Sequence, residues 1–166
     1  KKSVFSLNHK SPVAEVMQTA IGQGNTLVSP MHMALITSAV ANGGILMHPY
    51  KIDSVVSSDG NKVKSVEPGV YRRLMSVNEA NLLGKLMQGA VENGTASSLN
   101  GRGYTAAGKT GSAEFDENGS SHSWFIGYSN VDDPDLVVAI IVENGGTGSE
   151  AAVPIAADIF DAYYFD

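Results

Sequence analysis

Lys109, Thr110 and Gly111 sit in the stretch GRGYTAAGKTGSAEF, residues 101–115, where a cation, a hydroxyl and a residue without a side chain follow one another. Two chemistries use such a set. Gly103 through Thr110 fits G-x-x-x-x-G-K-[ST], in which backbone N–H groups and a lysine cradle phosphates. Alternatively, the lysine lies on a strand at the edge of a cleft, and a substrate peptide lies alongside as an added strand. Gly111 would then let the peptide approach closely, because it has no Cβ.

The flanking sequence separates the two. A phosphate loop joins a buried strand to a helix, so that N–H groups and the helix N-terminus converge on the phosphates. Upstream of Gly103 the chain reads ASSLNGR, which is no apolar strand. Downstream of Thr110 it reads GSAEFDENGSS, whose glycines and turn residues oppose a helix. The phosphate loop at Gly103–Thr110 therefore fails its context and stands only as the rival reading. YTAAGKTGSAEF, by contrast, supplies small or β-compatible residues, then a turn and a returning strand.

Three helices are expected around this strand. Ser29 is a suitable N-cap with Pro30 in the first turn; Met33, Ile36, Thr37 and Val40 recur at helical spacing, and Gly43-Gly44 closes the helix. Ser76 and Glu79 form a capping box ahead of a stripe of Leu82, Leu83, Leu86, Met87, Ala90 and Val91. A third helix spans about Ser149 to Tyr163, with Val153, Ile155, Ala156, Ile159 and Phe160 facing inward. Strands are expected on either side of a turn at Ser58-Asp59-Gly60-Asn61, and at Tyr104–Phe115, His122–Ser129 and Leu136–Glu143. The β-branched run LVVAIIVEN suits a central strand buried on both faces. The fold class is thus α/β of the α+β type, an antiparallel sheet packed with helices.

Composition bounds the function. The chain has 166 residues, enough for one domain or a large piece of one. A formal net charge of −6 argues against nucleic acid as a partner, because little would neutralise phosphates. With no cysteine, disulfides and thiolate chemistry are excluded. His9, His32, His48 and His122 show no metal-ligand spacing, and no cofactor is expected. The longest apolar run, Leu136 to Val142, is too short to span a bilayer.

AAGKTGSAEF resembles the A-G-K-T-G-[TS]-A stretch of penicillin-binding protein transpeptidase domains, within the penicilloyl-serine transferase and serine β-lactamase superfamily. AIGQGNTLVSPMHMALITSAVANGG, VENGTA, HSWFIGYS and VVAIIVENGG…AAVPIAADIF resemble the same domains, so the likeness covers nearly the whole chain. The tail is more similar to the class B, monofunctional type. The resemblance implies a peptidoglycan D,D-transpeptidase. In it a serine attacks the carbonyl of a D-Ala-D-Ala stem peptide and the acyl group passes to an amine; β-lactams stop at the acyl-serine. It implies that Lys109 supplies charge to the site, and that the Thr110 and Ser112 hydroxyls bind the terminal carboxylate. Gly111 would allow close approach, and the Ser112 backbone N–H would be half of an oxyanion hole. Gly22-Gln23-Gly24 and Asn42-Gly43-Gly44 read as turn and helix-cap residues, and Trp124 reads as core packing. Glu114 and His122 could rim the cleft, but nothing in the sequence singles them out.

The family's S-x-x-K is missing: no internal lysine has serine three positions before it. S-x-N occurs at Ser6-Leu7-Asn8, Ser76-Val77-Asn78 and Ser98-Leu99-Asn100, and all three look accidental. Residues 1–166 are therefore expected to be the C-terminal part of a transpeptidase domain without its nucleophile-bearing N-terminal part, inactive alone and prone to self-association. The parent would be membrane-anchored on the extracytoplasmic face. A non-catalytic interaction module with such a sheet is the other alternative.

Overall fold

The computed structural model describes residues 2–114 and 119–166. Three antiparallel strands form its centre: β5 (Ala106–Ala113), β6 (His122–Ser129) and β7 (Leu136–Val142), in that spatial order. Pairing is continuous, from Ala106 opposite Ser129 to Ala113 opposite His122, and from Ser123 opposite Val142 to Ser129 opposite Leu136. β5 is shorter than the sequence suggests. Tyr104 lies outside the strand and packs its ring on Phe160 and Tyr164, and Phe115 lies outside the described residues. β7 is at the edge of this sheet, not at its centre. Its β-branched run is used because both faces are covered, with α2 and α4 each packing on β7.

Helix α2 (Pro30–Ala41) starts as expected: the Ser29 side chain accepts from the His32 N–H. Gly43 and Gly44 follow it with φ of 57° and 86°, the left-handed turn that favours glycine. Helix α3 (Val77–Glu92) opens on a complete capping box, in which Glu79 N–H donates to Ser76 Oγ and Ser76 N–H donates to Glu79. Its buried line is Ala80, Gly84, Met87 and Val91, which keeps Met87 and Val91 of the expected stripe but not its leucines. Leu82 and Leu86 are 60% and 64% exposed. The small residues let α3 approach the sheet: a Cβ on Gly84 would lie 2.7 Å from the Tyr128 hydroxyl oxygen.

The last helix is reached through one π-helical turn, Gly148–Ala152, before α4 (Val153–Phe165). Val153, Ala156, Ala157 and Phe160 are buried, whereas Ile155 and Ile159 face outward, contrary to the inward assignment. These residues close one core cluster with Phe125, Leu99, Val138 and Val91; a second cluster joins Val40, Met87, Ala107 and Tyr128 on the other face. The Phe125 ring lies over the cross-strand pair Gly108–Gly127, where a Cβ on Gly127 would meet it at 2.7 Å.

Three features lie outside the sequence expectations or extend them. Helix α1 (Val13–Ala20) has no side-chain cap and buries no residue. β1 (Ile45–Met47) pairs with β4 (Val70–Arg73) across the expected hairpin. That hairpin is β2 (Ser54–Val56) and β3 (Lys62–Ser65), with its turn glycine Gly60 at φ 84°.

Candidate active site

β5 runs straight through Lys109 and Thr110, and no helix begins at either. The phosphate-loop geometry is therefore excluded, since its backbone donors require a helix start. Instead, strand alternation sends the Lys109 side chain to the opposite face from Thr110 and Ser112. Lys109 and Ser112 are exposed, and Thr110 is buried.

The backbone of β5 has a definite polarity. Asn130 N–H donates to the Thr105 carbonyl at 2.8 Å, so Thr105 bonds toward the β6 side. In an antiparallel ladder each residue turns both its N–H and its C=O to one side, and successive residues alternate. Ala107, Lys109, Gly111 and Ala113 therefore bond to β6. Gly108, Thr110 and Ser112 turn their backbone groups to the other edge. Two side chains agree with this parity: Lys109 Nζ donates to the Thr110 carbonyl at 2.6 Å, and Gln23 Nε2 donates to the Ser112 carbonyl at 3.2 Å. The Ser112 N–H thus points outward from the sheet, beside a lysine and a buried hydroxyl.

Thr110 has one more partner. Its Oγ1 lies 2.6 Å from Thr95 Oγ1, in the turn after α3. Behind the strand, the glycine at the start of the π-turn makes close packing possible: a Cβ on Gly148 would lie 2.9 Å from both Gly111 N and Gly111 O. Ser123 holds this turn down, donating to the Thr147 carbonyl at 2.8 Å and accepting from Ala152 N–H at 3.1 Å. Trp124 stands opposite Gly111 and is only partly buried, so it is not the core residue expected. A Cβ on Gly111 would touch Trp124 Cβ at 3.3 Å. Glu114 is exposed at the end of β5, and His122 Nδ1 accepts from Asn144 N–H at 3.1 Å.

The remaining candidates fall away from this edge or have local duties. Ser76 caps α3. Ser98 and Asn100 flank buried Leu99, with Asn100 donating to the Glu92 carbonyl and Arg102 to the Ser98 carbonyl. Gly22 and Gly24 do adopt the left-handed turn conformation, at φ 82° and 81°. The turn reading of Gly22-Gln23-Gly24 was incomplete, however, because it aims Gln23 at β5 across 89 residues of chain. Nothing local in the sequence signals that contact.

Residues 4–161 match the penicillin binding protein transpeptidase domain. The chain belongs to that family. It is 33% identical over 150 residues to the peptidoglycan D,D-transpeptidase PbpA of Mycolicibacterium smegmatis, covering 86% of this chain and 30% of that protein. It is also 33% identical to stage V sporulation protein D of Bacillus subtilis, over 94% of this chain and 25% of the relative. Penicillin-binding protein A from M. tuberculosis, solved as a ceftriaxone acyl-enzyme, superposes with a TM-score of 0.86 at 31% identity, covering 95% of this chain and 37% of that one. The chain thus spans about a third of the length of the PbpA relatives it matches. The mixed fold of helices and antiparallel strands is that of penicillin-binding transpeptidase domains.

Proposed function

We propose that this segment is the strand wall of a peptidoglycan D,D-transpeptidase site, in a protein acylated by β-lactams. The observation that carries the reading is the outward edge of β5, where Lys109, Thr110 and Ser112 present a cation, a hydroxyl and a backbone donor together. The named relatives include peptidoglycan D,D-transpeptidases and a β-lactam acyl-enzyme, which supports it.

In this reading the stem peptide ending in D-Ala-D-Ala lies along the free edge as an added strand. Its terminal carboxylate meets the Thr110 and Ser112 hydroxyls and the field of Lys109. A serine supplied from outside this segment attacks the penultimate D-Ala carbonyl. The carbonyl oxygen, as it gains negative charge, is held by the Ser112 N–H; one such donor contributes about 3 kcal/mol to the transition state. The C–N bond breaks and terminal D-Ala leaves with a proton; an amine of another stem then attacks the acyl-serine, the ester C–O bond breaks, and the acyl group passes to the amine as its proton returns to the serine. No S-x-x-K exists in the 166 residues, so residues 1–166 are read as the C-terminal part of the domain. Among the described residues no helix is long and apolar enough to cross a membrane. The parent is read as monofunctional, membrane-anchored and extracytoplasmic, where its substrate lies.

Intact-mass spectrometry after incubation with a fluorescent penicillin tests this. The 166-residue chain alone should remain unmodified, and the full-length protein should gain one penicillin. A stoichiometric adduct on the chain alone would mean that the nucleophile is misplaced. An unreactive full-length protein would remove the transpeptidase reading.

A further inference from the structure

We propose that Thr95 is a positioning residue that sets the direction of the Thr110 hydroxyl proton, and so tunes recognition of the substrate carboxylate. The inference rests on the transpeptidase reading and goes beyond it, because Thr95 belongs to a different segment from the K-T-G strand.

The Thr95 and Thr110 hydroxyl oxygens are 2.6 Å apart, and either one could donate. A hydroxyl has one proton and two acceptor lone pairs. If Thr110 donates to Thr95, it has no proton for a ligand. If Thr95 donates to Thr110, the Thr110 O–H is free for a carboxylate. The second arrangement also strengthens the outgoing bond, because a hydroxyl that accepts a hydrogen bond becomes a better donor. A carboxylate at the edge of β5 therefore selects it, and the pair acts as a two-hydroxyl relay.

The surroundings hold Thr95 where the relay needs it. Gly94 follows α3, and Ala96 is fully buried with its N–H bonded to the Ala90 carbonyl at 3.1 Å. Ser97 N–H donates back to the Gly94 carbonyl at 3.2 Å, so the turn is pinned on both sides of Thr95. Thr95 itself is exposed, and Thr110 is only 9% exposed. The Thr95 side chain thus contributes little to packing, while its hydroxyl reaches a nearly buried partner. Thr110 in turn has few directions in which to send its proton.

The test uses the full-length protein and two acylating agents, a penicillin with its free carboxylate and the methyl ester of the same penicillin. Thr95→Val should lower the second-order acylation rate by the free acid about fivefold, the scale of one lost hydrogen bond between neutral groups. Acylation by the ester should change by less than about twofold, and Thr95→Ser should retain the wild-type preference for the acid. In a Thr110→Val background, Thr95→Val should add nothing. Equal loss on acid and ester, or no loss on either, overturns the proposal, since a merely structural Thr95 would slow both alike. Should Thr95→Val fail to fold, Thr95→Ala is read by the same acid-to-ester ratio. If the wild-type protein reacts with neither agent, the transpeptidase reading fails and this inference with it.

Discussion

Helix α3 has two apolar faces that meet different surroundings. One carries Ala80, Gly84, Met87 and Val91 against the sheet, and it is buried. The other carries Leu82, Leu83 and Leu86, which are larger and more hydrophobic, and it is exposed. The same division runs through the molecule. β5, β6 and α4 enclose Phe125 and Phe160 completely, whereas Val13, Met17 and Ile21 of α1 and its following turn stand open. Burial here follows the shape of the contact, with small residues where backbones approach, more than the size of the apolar side chain. The open face fits our reading of the chain as part of a larger domain, in which the remainder covers these leucines.

The largest effect should fall on the closed side. Phe125 is fully buried, and its ring fills the space over Gly108 and Gly127. Phe125→Ala should lower the unfolding free energy of the chain by about 3–5 kcal/mol, measured in urea. A loss under about 1 kcal/mol would mean that the two sides are equally loose. On the small-residue face of α3 the converse change should also hurt. Gly84→Val places atoms against the buried Tyr128 hydroxyl, so overpacking should cost about 2 kcal/mol despite the removal of a helical glycine.

Which parts of this division could be read from sequence follows from the range of each signal. The Ser29 cap and the Ser76–Glu79 box act over three residues, and both helix starts are where those residues put them. Helix α1 has only Pro12 at its start and no capping side chain, so it left no comparable mark. Hydrophobic periodicity marks an apolar stripe but not the partner it meets; hence the stripe names Leu82, Leu83 and Leu86, while Gly84 makes the close contact with the sheet. The β7 run reports burial of its faces by α2 and α4, which does not specify a central position. At the candidate site, the motif strand was readable from Lys109 to Ser112. The bonds from Gln23 and Thr95 join distant segments, and no local pattern encodes them.

A smaller effect is expected where the closed side meets solvent. Tyr104 donates to Asp161 at 3.0 Å, and Asp161 also pairs with Arg102. Burial, then the bond to Asp161, pushes the Tyr104 hydroxyl up from 10.0 to about 12. Its folded-state pKa is raised, so its contribution to stability is complete below pH 10 and is lost as pH rises through about 12. Tyr104→Phe should cost about 1 kcal/mol at neutral pH. It should also flatten the fall in stability between pH 10 and 12, read from urea midpoints across that range. An unchanged alkaline slope would assign the fall to Tyr128 and Tyr164, which burial also raises.

The smallest effect belongs to the leucine face, and it is the sharpest test of the comparison. Leu86 is 64% exposed, so Leu86→Gln removes little buried surface from the isolated chain. Its unfolding free energy should change by no more than about 0.5 kcal/mol, as for ordinary surface sites. Self-association should respond more. An exposed apolar face seeks a partner, and Leu82→Gln with Leu86→Gln should shift light scattering of the concentrated chain toward monomer. In the full-length protein the same substitutions should be costly, about 2 kcal/mol or more for a leucine that is covered. Equal, negligible effects in both settings would leave Leu82 and Leu86 as solvent-facing residues in the whole protein. The two faces of α3 would then differ by composition alone, with no second partner for the helix.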